Sequence, residues 1–312
     1  MVVFDVLFVG VAVVALWYGA EQFVTGASRV ARRLGVPWLV IGLTVVAFGT
    51  SAPEFAVTLD AAVAGQADIS VANVVGSNVL NLGFILGGVA LVGALTASRT
   101  LVRRDGVILI ASTGLLLAVA VDGRMTAVEG AVLFGSLLAY LLVLARSGSD
   151  SPVAVVEEPF HWPDAGRLVG GLALVVGGLA LVVGGGHLLV LSAVDLAAAA
   201  GVSSWLIGLT VVAAGTSLPE FVTSLAAARQ GKTGISAGNL VGSCIFNALG
   251  VLGLAALVTP LTVSVSGIEG TAWLLGTTVL VVVMFYTEAT LSRLEGALLV
   301  VLNAANWLVN LL

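Results

Sequence analysis

IGLTVVAFGTSAPEF at residues 41–55 and IGLTVVAAGTSLPEF at residues 207–221 are two copies of one motif. Each continues into a second shared block, ISVANVVGSNVLN at 69–81 and ISAGNLVGSCIFN at 235–247. Residues 41–87 align with residues 207–253 without a gap at a constant offset of 166, and 26 of the 47 positions are identical. Identity at that level over that length marks an internal duplication, and a duplication has to be recognised before any other feature is read.

The surroundings of both copies are almost wholly apolar. Of 312 residues 59% are hydrophobic and 9% are charged, with a mean hydropathy of +1.17. These values lie outside the range of water-soluble domains and imply lipid as the solvent. About 20 apolar residues cross the hydrocarbon as a helix, and the chain divides into ten such stretches. They run over 3–28, 36–64, 69–95, 103–121 and 125–146, then 167–199, 203–229, 234–258, 264–287 and 291–311. Open strands leave backbone groups unsatisfied in lipid, and the runs are too long and continuous for barrel strands, so the spans are read as helices. The expected fold is an all-α membrane protein with ten transmembrane helices. Residues 1–146 form a first five-helix repeat and residues 167–312 a second. Five is odd, so the second copy enters the membrane from the opposite side, and the repeats are inverted. Inverted repeats suit a transporter, with substrate bound near the midplane where broken helices of the two halves meet.

Charge sets the expected orientation. Eleven of the twelve Lys and Arg residues fall at turns on one side, among them Arg29, Arg32, Arg33, Arg104, Arg229 and Lys232, while Arg124 lies opposite. The positive-inside rule makes that side cytoplasmic. Both termini are then extracytoplasmic and the polar linker 147–166 is cytoplasmic, in a multi-pass protein of the inner (plasma) membrane. The first span has no basic n-region and carries Asp5, so it reads as a retained helix and not a cleaved signal peptide. A net charge of −5 points to no nucleic-acid partner. Cys244 is the single cysteine, which excludes an intrachain disulfide or a thiolate cluster. Two histidines and no nucleophile pair give an intramembrane enzyme no agents.

Within the spans, GTSAPE (residues 49–54) and GTSLPE (residues 215–220) interrupt the apolar runs. Pro53 and Pro219 cannot donate backbone hydrogen bonds, which strands the carbonyls of Gly49 and Gly215 and breaks the helix there. Each proline precedes a glutamate. A carboxylate at bilayer depth costs about 2.5–3.5 kcal/mol on insertion scales unless neutralised, and no Lys or Arg lies inside a span near Glu54 or Glu220. Protons or metal cations remain as neutralisers. The carboxylates, freed carbonyls and hydroxyls of Thr50, Ser51, Thr216 and Ser217 form an all-oxygen set, suited to hard ions such as Ca2+ and Na+. Ser77 and Asn81, and Ser243 and Asn247, sit four apart, so each pair lies on one helix face and adds uncharged ligands. Asn73 and Asn239 read as hydrogen-bond braces for the broken helices.

GTSxPE followed by GSxxxN, found twice, resembles the α-repeats of the Ca2+/cation antiporter superfamily, specifically its Na+/Ca2+ exchanger family of the prokaryotic type. The resemblance implies that Glu54 and Glu220 are shared ligands of Ca2+ and Na+. It also implies one Na+ site near Ala47, Thr50, Ser77 and Glu54, a symmetry mate near Ala213, Thr216, Ser243 and Glu220, and Asn81 and Asn247 lining the centre. The implied activity is electrogenic Na+/Ca2+ antiport by alternating access, in which the first and sixth helices slide across the rest. Asparagine at both central positions, where K+-dependent relatives carry Asp at one, argues against K+ coupling. The rival readings are a Ca2+/H+ antiporter on the same fold and a cation channel. The first has an Asn-containing acidic motif in place of GTSxPE. The second has no use for inverted duplication. No cofactor is expected beyond the transported Ca2+ and Na+, and the protein is expected to work as a monomer in the lipid bilayer.

Three further features have bland readings. Glu21 and His187 are repeat-equivalent and are taken as packing residues. Asp105, Asp122, Asp195, Glu269 and Glu288 fall near span ends, where exposed carboxylates cost little. The glycine-rich stretch 177–186 reads as a close helix contact and not a phosphate loop.

Overall fold

The computed structural model describes residues 2–147, 165–200 and 213–311. Helix α1 (Val2–Leu34) leads into α2 (Trp38–Ile41), which passes through a π-helical segment, Gly42–Val46, into α3 (Ala47–Thr50). Ser51 breaks the helix, and α4 (Ala52–Val63) leaves at a bend of 49°. Helix α5 (Ala67–Val79) continues through a second π segment, Leu80–Ile85, into α6 (Leu86–Val92). A π turn at Leu101–Asp105 opens α7 (Gly106–Ala120), and α8 (Ala127–Ser147) ends the first half. The second half holds α9 (Ala165–Ala199), α10 (Ala213–Thr216), α11 (Leu218–Arg229) and α12 (Thr233–Ile245). A π segment at Phe246–Val251 then leads to α13 (Leu252–Val258), followed by α14 (Val265–Glu288) and α15 (Arg293–Leu311).

Among the described residues the chain is helical apart from four two-residue strands and short turns. Six of the described helices are long and apolar enough to cross a membrane, and the bent pair Trp38–Thr50 and Ala52–Val63 makes a seventh. The start of the second motif copy and most of the linker fall in residues 201–212 and 148–164, outside the described residues. Large apolar side chains such as Phe4, Val14, Val128, Val176 and Leu294 are exposed, as lipid-facing positions require.

The strands, for which the sequence carries no signal, report the arrangement of the halves. β1 (Leu95–Thr96) pairs antiparallel with β4 (Thr290–Leu291), and β2 (Arg124–Met125) with β3 (Leu261–Thr262). The offset of 166 carries β1 onto β3 and β2 onto β4, so it exchanges one ribbon for the other. α7 with its π turn is about 30 Å long and separates β1 from β2, while α14 separates β3 from β4. The two helices pack on each other and therefore run antiparallel, with one ribbon at each end.

Glycine governs the closest crossings. A Cβ on Gly87 would stand 2.8 Å from Gly296 O, and one on Gly253 would stand 2.8 Å from Phe134 N. These are the α6–α15 and α13–α8 contacts, equivalent under the offset. α1 and α9 pack along their length in a second hydrophobic cluster that includes Phe23, Ala27 and Val182 and also takes in Ile41, Val46, Ala226, Ala227 and Ile235 of the broken helices and α12, beside the main core around Leu86, Leu116, Leu240 and Leu252. The glycine-rich stretch of α9 serves this contact: a Cβ on Gly178 would lie 2.8 Å from Gly19 O, and one on Gly185 3.1 Å from Leu16 N.

One expectation is corrected. Asp122, Asp195 and Glu269 are exposed or half-exposed as expected, but Asp105 is fully buried. The π turn ending at Asp105 directs its carboxylate inward, where Arg104 Nε and Nη2 donate to it at 2.8 and 3.1 Å and the Tyr140 hydroxyl at 3.1 Å. A chelating guanidinium and a phenol take the place of water. At the end of α1, Arg29 and Arg32 face Lys232, and burial together with these two charges holds its ammonium below the usual lysine range.

Gly87→Val and Gly253→Val are expected to lower the midpoint of thermal unfolding in detergent by an amount equivalent to about 1–3 kcal/mol of overpacking. Gly135→Val, at a position with open space around its Cβ, is expected to stay within about 0.5 kcal/mol of the parent.

Candidate cation site

Ser51 and Ser217 cap α4 and α11, and Pro53 and Pro219 occupy the first turn of each, where a missing N–H costs nothing. Glu54 and Glu220 follow in the same turn, at the end of the helix where backbone dipoles favour negative charge. Both glutamates are fully buried. The capping serines do not serve their own helices. Ser51 Oγ donates to Glu220 Oε1 at 3.0 Å, and Ser217 Oγ donates to Glu54 Oε1 at 3.3 Å. The two broken helices thus meet end to end, each hydroxyl holding the carboxylate of the other half, and the two carboxylates act on each other through space.

Braces hold this geometry. Asn73 Nδ2 donates to Glu54 O at 3.2 Å and to Thr58 Oγ1 at 2.9 Å. Asn239 Nδ2 makes the equivalent bonds to Glu220 O at 3.4 Å and Ser224 Oγ at 2.9 Å. The expected bracing role of these two residues is borne out. Asn239 does one thing more: its Oδ1 lies 3.0 Å from Thr50 Oγ1, whose hydroxyl also has Val46 O and Ala47 O within 3.3 Å. Absent side chains at Gly238 and Gly242 let α12 rest on the backbone of α2 and the Gly42–Val46 segment, with Cβ positions 2.8 Å from Leu39 O and Leu43 O. That approach brings Ser243 Oγ to 3.4 Å from Ala47 O and 3.5 Å from Glu220 Oε1. Ser77 is buried on α5, on the Glu54 side of the site.

The resemblance grouped Ala47 and Thr50 with the Glu54 half and Ser243 with the Glu220 half. The observed contacts run across the halves, linking Ala47 and Thr50 to Ser243, Asn239 and Glu220. Thr216 is half-buried where its counterpart Thr50 is fully buried. Ala213 opens α10 at the edge of the described residues.

Asn81 and Asn247 are fully buried, each one residue into a π segment. The Leu86 N–H reaches back to Asn81 O and the Leu252 N–H to Asn247 O, a five-residue step in each case. π-helical turns concentrate at functional positions, and nothing in the sequence signals these. Sequence reasoning also misses Asn78. Its Nδ2 donates to Cys244 O at 3.0 Å and its Oδ1 accepts from Asn247 Nδ2 at 3.2 Å. Cys244 occupies the repeat-equivalent position, which hides the asparagine when the two copies are laid side by side.

Among the described residues, four buried acceptor oxygens at this centre have no hydrogen-bond partner: Glu54 Oε2, Glu220 Oε2, Asn81 Oδ1 and Asn247 Oδ1. Among the described residues the only ion pair is Arg104–Asp105, so neither glutamate has a basic neighbour. Nor do the described residues contain a cluster of three or more His, Cys, Asp or Glu side chains. The donor set is carboxylate, amide, hydroxyl and carbonyl oxygen, which fits a hard cation and not a thiophilic metal.

Comparison with known proteins agrees with this chemistry. The family model described as sodium/calcium exchanger protein matches residues 4–146 and 170–311. The sodium/calcium exchanger MaX1 of Methanosarcina acetivorans is 31% identical over 342 aligned positions covering 98% of each chain. Inner membrane protein YrbG of Escherichia coli is 36% identical over 261 positions, covering 81% of this chain and 79% of its own. Among solved structures, the sodium-calcium exchanger NCX_Mj superposes with a TM-score of 0.88 at 30% identity, covering 98% of both chains. The chain belongs to the sodium/calcium exchanger protein family.

Proposed function

We propose that the chain is an electrogenic Na+/Ca2+ antiporter in which the two ions compete for the site around Glu54 and Glu220. The observation that carries the reading is the set of four buried, unpartnered oxygens, two of them carboxylate, in a bundle whose described residues offer no basic side chain to them. A buried charge without a partner is strongly unfavourable, so these groups gain from a cation. Ca2+ prefers six to eight oxygens, and Na+ is satisfied by the same hard donors. The Ala47 carbonyl and the hydroxyls of Thr50, Ser51, Ser77, Ser217 and Ser243 stand close enough to complete such shells. Thr216 and Ala213 are assigned to the same set by their repeat positions.

The architecture we infer is ten crossings, as two inverted five-helix repeats joined by a cytoplasmic linker at 147–166, in the inner membrane with both termini outside. The exchange of ribbons under the repeat offset and the antiparallel run of α7 and α14 support inversion. The gathering of Arg29, Arg32 and Lys232 supports a common cytoplasmic side for the basic turns. α1 and α9, which pack on each other along their length, are suited to shift as a pair against the rest. In the cycle, cation binding neutralises the glutamates and relieves the penalty of moving them, so that access switches only when the site is loaded. The protomer contains both halves of the site and works as a monomer.

Proteoliposomes loaded with Na+ are expected to take up 45Ca2+ only while an outward Na+ gradient exists. Glu54→Gln and Glu220→Gln are each expected to reduce that uptake to background. Uptake that follows a pH gradient without Na+ would place the protein with proton-coupled relatives, and flux surviving both substitutions would show that the site is elsewhere.

If three Na+ leave for each Ca2+ that enters, one positive charge exits per cycle. An inside-positive potential is then expected to favour uptake by about 2.3 kcal/mol per 100 mV. Clamping the potential with valinomycin and K+ gradients measures this directly, and an unchanged equilibrium accumulation would show an electroneutral cycle.

A further inference from the structure

We propose that Asn303 is a positioning residue for the cation site, acting through the π segment that carries Asn81. The proposal rests on the reading of Asn81 as part of that site.

Asn303 lies on α15 and is fully buried. Its amide is held at both ends, with Oδ1 accepting from Trp273 Nε1 at 3.1 Å and Nδ2 donating to Leu299 O at 2.9 Å. The amide fills a notch in the Leu80–Ile85 segment left by the missing side chain of Gly83. A Cβ there would stand 2.5 Å from Asn303 Nδ2 and 2.8 Å from its Cβ. A π turn is wider than an α turn and has poorer internal support, so what presses on it decides where its side chains point. Gly83 is two residues from Asn81, inside the same turn.

The other half has a related contact, one residue out of register and of different chemistry. The repeat offset maps Asn303 onto Leu137 but Gly83 onto Leu249, and Leu137 Cδ2 lies 2.7 Å from where a Cβ of the next residue, Gly250, would stand, in the Phe246–Val251 segment. Each π segment is therefore pegged by the last helix of the opposite half, by an amide in one case and an aliphatic chain in the other. The counterpart of Trp273 is Val107, which is exposed and has no polar group to offer.

The difference matches what each segment carries. Asn247 is anchored by its own side chain, through Nδ2 to Asn78 Oδ1 at 3.2 Å. Asn81 has no amide partner of that kind: among the described residues its Oδ1 and Nδ2 meet no hydrogen-bond partner at bonding geometry, and the Cys244 thiol is its polar neighbour. The backbone beneath it therefore has a larger part in setting the direction of that amide. The rigid, hydrogen-bonded peg stands under the asparagine that needs it, and the slippery aliphatic peg under the asparagine that is already held.

The test is equilibrium 45Ca2+ binding to the purified protein in detergent, with thermal stability measured on the same samples. Asn303→Ala is expected to weaken binding about five- to tenfold, and Trp273→Phe, which keeps an aromatic ring and removes the donor, about two- to fivefold. Leu299→Ala truncates a buried side chain one turn earlier on α15, beside Gly87 on α6. It is expected to lower stability while leaving Ca2+ affinity unchanged. Asn81→Ala distinguishes loss of the ligand from loss of its support. If it weakens binding while Asn303→Ala and Trp273→Phe behave like the parent, or no differently from Leu299→Ala, the positioning role is overturned and the site stands. If Asn81→Ala itself binds Ca2+ as the parent does, Asn81 is no ligand and the positioning role falls with it.

Discussion

Two carboxylates set into the middle of an apolar bundle, with no basic side chain among the described residues to meet them, are the constraint from which the rest follows. Their charge would be strongly unfavourable in that environment if it were left alone, and the fold surrounds them with the means to live with it. They begin helices, so that backbone dipoles face them. A serine from the other half donates to one oxygen of each. Asn73 and Asn239 tie down the backbone beneath them. The remaining carboxylate oxygens are left without a partner. Burial and partial satisfaction together leave carboxylate oxygens free for the cation proposed above.

Close helix approach is what makes this arrangement reachable. Gly238 and Gly242 let α12 lie on the first π segment, and that contact delivers Ser243 to the Ala47 carbonyl. The crossings at Gly87 with Gly296 and at Gly130 with Gly253 hold the outer helices at backbone distance. In lipid, where no hydrophobic force drives helices together, such packing supplies much of the association energy. Small residues therefore serve two ends, cohesion of the bundle and placement of polar atoms.

Much of this is legible in the amino-acid order alone. The duplication, the broken helices and the isolated Pro-Glu pairs lie in plain view because each violates the apolar pattern around it, and Asn73 and Asn239 are readable as braces for the breaks. Other features are silent in one dimension. A π turn has no composition of its own, so the segments at Leu80–Ile85 and Phe246–Val251 leave no trace in the sequence, and with the one at Leu101–Asp105 goes the burial of Asp105. Asn78 escapes because its repeat partner is a cysteine, and only likeness between the copies draws the eye. The two-residue strands are too short to leave a periodic signal. The crossing of contacts between halves depends on how helices meet in space, which repeat alignment alone does not specify.

The exchange of serines between the two halves has a consequence for how such a molecule can evolve. Because Ser51 answers to Glu220 and Ser217 to Glu54, the working unit is neither repeat but a composite drawn from both. A change at one serine is felt by the glutamate of the sister copy, so the two motifs are not free to diverge one at a time. Duplication ordinarily releases one copy from duty. Here the interlocking removes that freedom, and each half becomes a standing selective pressure on the other.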